Sequence, residues 1–254
     1  MTRLSIGLQM YTLRNETAED FLGTLRKVAE LGYEGVEFAG YGGLDAKALR
    51  AELDGLGLKA FSSHVSLVRM LEAGDDEIEY ALTLGCKHLV VPWMGEEKYA
   101  TEADLAETCK QLDAIGAKCA ERGIGFGYHN HSFELERTFG EKLMLDYIFD
   151  SVSADRLQVE LDSCWVHNAG VDAAAYIGKY KGRIPLVHLK DMTRADGKAN
   201  TVELGKGEVD LLAIAKAAKE AGAEWLVVEQ DVCQNPPLES VATSIAWLKS
   251  NGLR

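Results

Sequence analysis

Cysteine is scarce in this 254-residue chain and gives no pattern. Cys86, Cys109, Cys119, Cys164 and Cys233 are scattered, odd in number and never spaced C-x-x-C. They read as reduced thiols, not as a disulfide framework. No apolar run reaches 18 residues, and the opening MTRLSIGLQM lacks a long apolar stretch with a cleavage site behind it. A cytoplasmic protein with no membrane partner is expected. There are only four prolines, and no Pro- or Ser-rich linker divides the chain. A single domain over 1–254 follows as the expectation. Basic residues are outnumbered 27 to 40, for a net charge of -13. A general nucleic-acid surface needs clustered Lys and Arg, so no nucleic-acid partner is expected. The surplus carboxylates are available to a divalent metal.

What is present is a recurring unit. A helical, alanine-rich stretch ends in glycine and a short apolar run follows, as in VAELGYEGVEF (28–38), ALTLGCKHLVVPW (81–93) and AAKEAGAEWLVVEQD (217–231). Glycine stops a helix because it reaches the left-handed region without a steric penalty. The pattern predicts eight strands, at 4–10, 34–38, 58–63, 88–92, 124–129, 157–162, 185–189 and 225–229. Thr17 is read as the N-cap of the first helix with Asp20 at N3, and Thr101 as the cap of a long helix with an acidic first turn. Eight strands alternating with helices in about 250 residues is the count of a (β/α)₈ TIM barrel, an α/β fold. The rival doubly wound sheet usually carries a Gly-rich turn after strand one. Here YTLRNET follows, without G-x-G-x-x-G or a P-loop.

Barrel active sites stand at the C-terminal ends of the strands. Those ends are polar here: Gln9, Glu37, His64, His129-Asn130-His131, Glu160 and Asp162, His188-Leu189-Lys190-Asp191, and Glu229-Gln230-Asp231. Strand alternation places Gln158, Glu160 and Asp162 on one face, and does the same for Leu186, His188 and Lys190, and for Val227 and Glu229. Gly125 and Gly127 share a face with His129 and His131, leaving room near an axis. Buried carboxylates are costly unless paired or bound to metal. Imidazole and carboxylate from strands five to eight form an N/O donor set for Mn²⁺, Co²⁺, Zn²⁺, Ni²⁺ or Fe²⁺. Any one of these residues alone has a bland reading; a lone His188 would be a satisfied core histidine. His88 begins strand four, at the stability end, and is read as structural.

The stretches YHNHSFE (128–134), VELDSCWV (159–166), PLVHLKDM (185–192), ELGKGEVD (203–210) and VVEQD (227–231) resemble the sugar phosphate isomerase/epimerase family, the xylose isomerase-like barrels. The resemblance covers nearly the whole chain. In the epimerase branch it implies a metal held by Glu, Asp, His and Glu from strands five to eight. Asp162, His188 and Glu229 match the last three. The strand-five glutamate is missing, and Glu160, His129 or Glu134 are the substitutes. The preferred reading is Glu160 as ligand with His129 as proton carrier; His129 as ligand is the alternative. One divalent ion is implied, Mn²⁺ first and Co²⁺, Zn²⁺, Ni²⁺, Fe²⁺ or Mg²⁺ otherwise. The implied chemistry is isomerisation or epimerisation of a keto-sugar, 3-keto-glycoside or cyclitol, by proton abstraction beside a carbonyl through an enediolate. His129, Glu229 and His64 are the expected catalytic groups. Glu37, Trp93, Asn130, His131, Glu134, Trp165 and Lys190 are the expected substrate contacts. Because the paired glutamates are incomplete, a lyase or dehydratase is the second reading and a non-catalytic sugar-binding barrel the third. A homodimer is expected on base rates alone. The polar segment from Thr193 to Gly207 reads as a flexible cover or a plain surface loop.

Overall fold

Each unit folds as its pattern predicts: an amphipathic helix, a glycine stop, then a short apolar strand. Helix Phe21–Leu31 ends at Gly32 with φ 94°, and helix Leu211–Ala221 at Gly222 with φ 93°. These left-handed residues turn the chain sharply back toward the barrel. The computed structural model describes residues 3–195 and 197–253. Eight parallel strands close in sequence order: β1 (Ser5–Gln9), β2 (Gly35–Phe38), β3 (Lys59–His64), β4 (His88–Val91), β5 (Gly125–His129), β6 (Gln158–Asp162), β7 (Leu186–Leu189) and β8 (Trp225–Val228). The ring shuts where Ser5 of β1 registers with Trp225 of β8. The chain is therefore a single-domain TIM barrel, with each strand within two residues of its sequence expectation.

The barrel interior divides by chemistry. Its lower half is a plug of Phe61, Val90, Leu186, Trp225 and Val227. Phe61 and Trp225 stack with centroids 4.2 Å apart and planes 13° from parallel. The Phe61 ring lies where Gly7 would carry a Cβ, so only glycine fits there. Above the plug a layer of buried polar side chains gathers: Gln9, Glu37, His129, Glu160, Asp162, His188 and Glu229. A second apolar layer, including Leu25, Val28, Leu49, Leu53, Ile78 and Leu105, fills the space between strands and helices. Cys86, Cys109, Cys119 and Cys164 are buried free thiols. A cavity of about 590 Å³ opens at the N-terminal end of the strands, beside Lys59, Lys87 and Trp225, and has no residue in common with the polar layer. Among the described residues no helix is long and apolar enough to cross a membrane.

Two expectations change in detail. Thr17 lies inside a separate short helix, Arg14–Glu19, and its hydroxyl donates to the Arg14 carbonyl. Asp20 is the cap of the next helix; its extended backbone breaks the two apart and its carboxylate accepts from Gly23 N at 2.9 Å. Thr101 caps as expected, in a reciprocal box with Asp104. The polar segment after β7 is not a loose loop. Asp191–Ala195 and Lys198–Val202 pair as an antiparallel hairpin. Cross-strand hydrogen bonding satisfies that backbone, which a bare loop would leave to water.

Candidate metal centre

Two histidines turn opposite edges toward two groups of acids. His188 on β7 has Nε2 at 2.8 Å from Glu37 Oε2 and 3.1 Å from Glu160 Oε1, while its Nδ1 is 2.9 Å from Glu229 Oε2. His129 on β5 has Nδ1 at 2.9 Å from Glu160 Oε1 and Nε2 at 3.7 Å from Asp162 Oδ2. The inner group is completed by His64 Nε2, 2.6 Å from Glu160 Oε1, and by Gln9, whose amide donates to Glu37 Oε2 at 2.8 Å. The outer group is completed by Lys190. Its Nζ lies 2.8 Å from Asp162 Oδ2, 2.9 Å from Glu229 Oε2 and 2.8 Å from Asp231 Oδ2. None of these three contacts has hydrogen-bond alignment, so charge holds the ammonium in place.

Burial and charge set the protonation. Burial pulls both imidazoles down, with different outcomes. In His188 the Glu160 and Glu37 carboxylates override it and hold the ring well above the ordinary histidine range. In His129 burial and the neighbouring His188 win, and the ring is neutral. Glu160 resists its own burial because His188 and His64 face it, and it stays ionised. Glu37 does not: burial and the Glu160 charge raise it. Lys190 overcomes burial through Asp162, Asp231 and Glu229 and stays charged.

His64, His129, Glu160 and His188 form one group whose ligand atoms lie within 4.8 Å of one another; His129, Asp162, His188 and Glu229 form a second. The donor types fit a divalent cation, whose ordinary N/O ligands are imidazole and carboxylate; His188, held protonated by its acids, would give up one ring proton on binding. Buried oxygens without a hydrogen-bond partner fit it too: Glu37 Oε1, Glu160 Oε2 and Asp162 Oδ2. Both groups draw on the same two rings. A ring that ligates through one nitrogen carries its proton on the other, so two cations would need two imidazolates. One cation at a time is the arrangement the geometry allows.

The remaining expected residues take varied places. Asn130 spends its amide on Asp162, accepting from the backbone N at 2.9 Å and donating to the carbonyl. It thereby ties the ends of β5 and β6. Glu134 stands apart from both groups: its carboxylate accepts from the Tyr128 hydroxyl at 2.7 Å and from His131 N at 2.8 Å. His131 stacks between Phe133 and Trp165, with a buried Nδ1 that has no partner. Trp165 lies with its ring centroid 5.2 Å from Lys190 Nζ, whereas Trp93 is exposed on the rim. His88 bonds Gln158 near the barrel floor, consistent with its structural reading. Gln9 and Asp231 were given no role from sequence, yet one orients Glu37 and the other contacts Lys190. The signal for Asp231 was available, because strand alternation puts it on the Glu229 face.

Burial pushes Glu134 from an ordinary 4.5 up to about 7, against the two donors that favour its charge. The folded state thus binds the proton more tightly than the unfolded chain. The resulting stabilisation is complete below the unfolded value and is lost as pH rises through about 7. Relative to Glu134→Gln, the wild type is expected to lose on the order of 3 kcal/mol between pH 4 and pH 8. Urea titrations at both pH values check this. Burial, helped by Lys190, depresses His131 to about 4 and contributes with the opposite sign, but it is common to both proteins and cancels in the difference. A pH-independent difference would refute the assignment.

Comparison with known proteins agrees with this architecture. An inosose dehydratase of Geobacillus kaustophilus is 26% identical over 190 residues, 66% of this chain and 61% of that protein. One from Clostridium perfringens is 28% identical over 175 residues, 61% of this chain and 56% of its own length. The match therefore spans less than two thirds of these relatives. Among solved structures, a sugar phosphate isomerase/epimerase from Parabacteroides distasonis superposes with a TM-score of 0.84 at 22% identity, covering 100% of this chain and 96% of the other. The IOLI protein with a bound zinc atom gives 0.78 at 17% identity, covering 98% of each chain. At these identities the structural likenesses speak to fold alone. The profile of the xylose isomerase-like TIM barrel family matches residues 25–251, and the chain belongs to that family.

Proposed function

We propose that this protein is a divalent-metal-dependent isomerase or epimerase that removes the proton beside the carbonyl of a keto-sugar, 3-keto-glycoside or cyclitol. The observation that carries the reading is the convergence of His129, Asp162, His188 and Glu229, from four neighbouring strands, on one point. In this reading His129 Nε2, Asp162, His188 Nδ1 and Glu229 hold the ion, Mn²⁺ being the first to test. Bound there, the ion would supply a Lewis acid for the substrate carbonyl.

The protein's own groups do the rest. Glu160 and Glu37 accept from the inward nitrogens of His129 and His188. They fix each ring's orientation and leave its outer nitrogen free to ligate, the usual task of carboxylates behind metal-bound histidine. His64 is anchored through Nε2 on Glu160, and its Nδ1 has no partner among the described residues. It is therefore a proton carrier at the mouth of the inner group. Glu229 stands beside Lys190 with a second oxygen available to take the substrate proton. Lys190 presents a charged ammonium to a substrate oxygen, and Trp165 and His131 wall the same side.

Exchange in deuterated water is the test. Keto-hexoses, inososes and 3-keto-glycosides are incubated with protein and Mn²⁺ and read by NMR. Deuterium at the carbon beside the carbonyl, abolished by EDTA and restored by metal, is the expected result. Metal binding with no exchange or turnover on any of them would leave a binding barrel. A second reading, elimination, is supported by the inosose dehydratase relatives and by the pairing of Glu229 with Lys190 and His64 in place of a second glutamate. Elimination needs a base for the proton beside the carbonyl and an acid for the departing hydroxyl, and its product would lack the elements of water.

A further inference from the structure

We propose that the inner group is a cation seat in its own right, selective for zinc, and that zinc held there shuts out the ion of the outer group. The zinc seat stands without the reaction proposed above; the exclusion rests on that reading for what the outer group holds. Three imidazole nitrogens converge on one carboxylate oxygen. His64 Nε2, His129 Nδ1 and His188 Nε2 lie 2.6, 2.9 and 3.1 Å from Glu160 Oε1. The four residues stand on β3, β5, β7 and β6, one donor from each strand. Zinc binds such atoms at about 2.0–2.2 Å, which sets tetrahedral ligand atoms about 3.4 Å apart, so each observed distance opens by less than about 1 Å to admit the ion. Glu160 Oε2 and Glu37 Oε1 are buried without a hydrogen-bond partner. Glu37 Oε2 stands 2.8 Å from His188 Nε2 and 3.3 Å from His64 Nε2. Buried oxygens left unpaired are costly, and a cation at this point relieves them.

Donor type separates the two groups. The inner one offers three imidazoles and one carboxylate, the outer one two of each. Imidazole suits zinc, whereas carboxylate suits manganese. Charge separates them further. The Lys190 ammonium lies 2.8 Å from Asp162 Oδ2 and 2.9 Å from Glu229 Oε2, so an ion in the outer group meets a positive charge on its own ligands. Sharing then makes the seats exclusive. With zinc on the inner nitrogens, His129 Nε2 and His188 Nδ1 carry the ring protons and face Asp162 Oδ2 at 3.7 Å and Glu229 Oε2 at 2.9 Å. Those acids become the acceptors behind the ligated rings. An ion in the outer group needs the same two nitrogens bare, which reverses the tautomer of both rings. Glu160 backs the shared rings when the outer group is filled, so His64 is the residue whose loss tells the seats apart.

Nitrogen-15 NMR of histidine-labelled wild type reads the seat without any variant, because a nitrogen bound to zinc is distinguished from an N–H. With one equivalent of Zn²⁺, the expected ligated nitrogens are His64 Nε2, His129 Nδ1 and His188 Nε2. Ligation through His129 Nε2 and His188 Nδ1 with His64 unchanged, or no ligation, overturns the zinc seat. In competition titrations, His64→Gln is expected to lower zinc affinity at least about tenfold and to change manganese affinity less than about threefold. An equal change for both ions, or none for zinc, overturns the selectivity. Electron paramagnetic resonance of the Mn²⁺-loaded wild type is expected to show manganese released by one equivalent of Zn²⁺. One Zn²⁺ and one Mn²⁺ held together on a single chain overturns the exclusion. If manganese does not bind the wild type at all, the exclusion and the metal centre of the proposed reaction both fail, and the nitrogen spectrum still judges the zinc seat.

Discussion

His129→Gln is expected to leave the protein without bound divalent metal, while Glu160→Gln keeps it. The reason is which nitrogen faces which acid. His129 turns Nε2 toward Asp162 and Nδ1 toward Glu160, so removing the ring removes a donor. Glu160 touches the histidines from behind. Loss of its charge costs orientation and basicity, an effect of about 10–100-fold in metal affinity. The His129 variant should exceed that range, and deuterium exchange should fall with it. His188→Ala should be as severe, since that ring meets Glu37, Glu160 and Glu229 together. Metal content after dialysis and competition titration with Mn²⁺ measure all three. If Glu160→Gln lost the metal and His129→Gln retained it, the ligand would be Glu160, as the sequence reading prefers, and the two-edged role of His129 would be wrong.

Lys190→Met is expected to destabilise the metal-free protein by about 3–5 kcal/mol, the usual consequence of breaking a buried ion pair from one side. Asp162 and Glu229 are buried and Asp231 partly so, and all three approach the one ammonium. Without it their charges face one another in a low-dielectric cavity, and protonation becomes the only relief. The deficit should therefore be larger at pH 8 than at pH 5. A divalent ion should restore much of the loss, because it supplies positive charge to the same carboxylates and binding to the folded state adds stability by mass action. Urea unfolding in EDTA and in Mn²⁺ reads the effect. A variant as stable as wild type in EDTA would mean that Lys190 is not the counter-charge of the outer group.

The fold was legible in the sequence because its signals are local. A helix stop at Gly32 or Gly222 depends on one residue's φ, and an apolar strand such as Leu226–Val228 needs only its own side chains and their period. The polar strand ends were legible for the same reason: alternation alone puts Glu160 with Asp162 and Val227 with Glu229. The cap at Asp20 was missed because Thr17 offers an equally good local signal, and only the break in the chain separates them.

The arrangement of the site was decided by tertiary structure. Which nitrogen of His129 or His188 meets which carboxylate depends on side chains from strands more than 30 residues apart in sequence, and periodicity is silent on ring edges. The same holds for Asn130 and Glu134, whose types suggest substrate contacts and whose hydrogen bonds go to Asp162, Tyr128 and His131. Asp191 follows Lys190 directly, yet Lys190 lies among the acids of the outer group and Asp191 under the amides of Gly205 and Gly207. By itself the sequence determined a closed barrel with acids and imidazoles at one end, since those follow from residue type and repeat. Barrel closure decided what each of them does, because only there do distant strands bring charge, burial and hydrogen-bond direction to bear on one point.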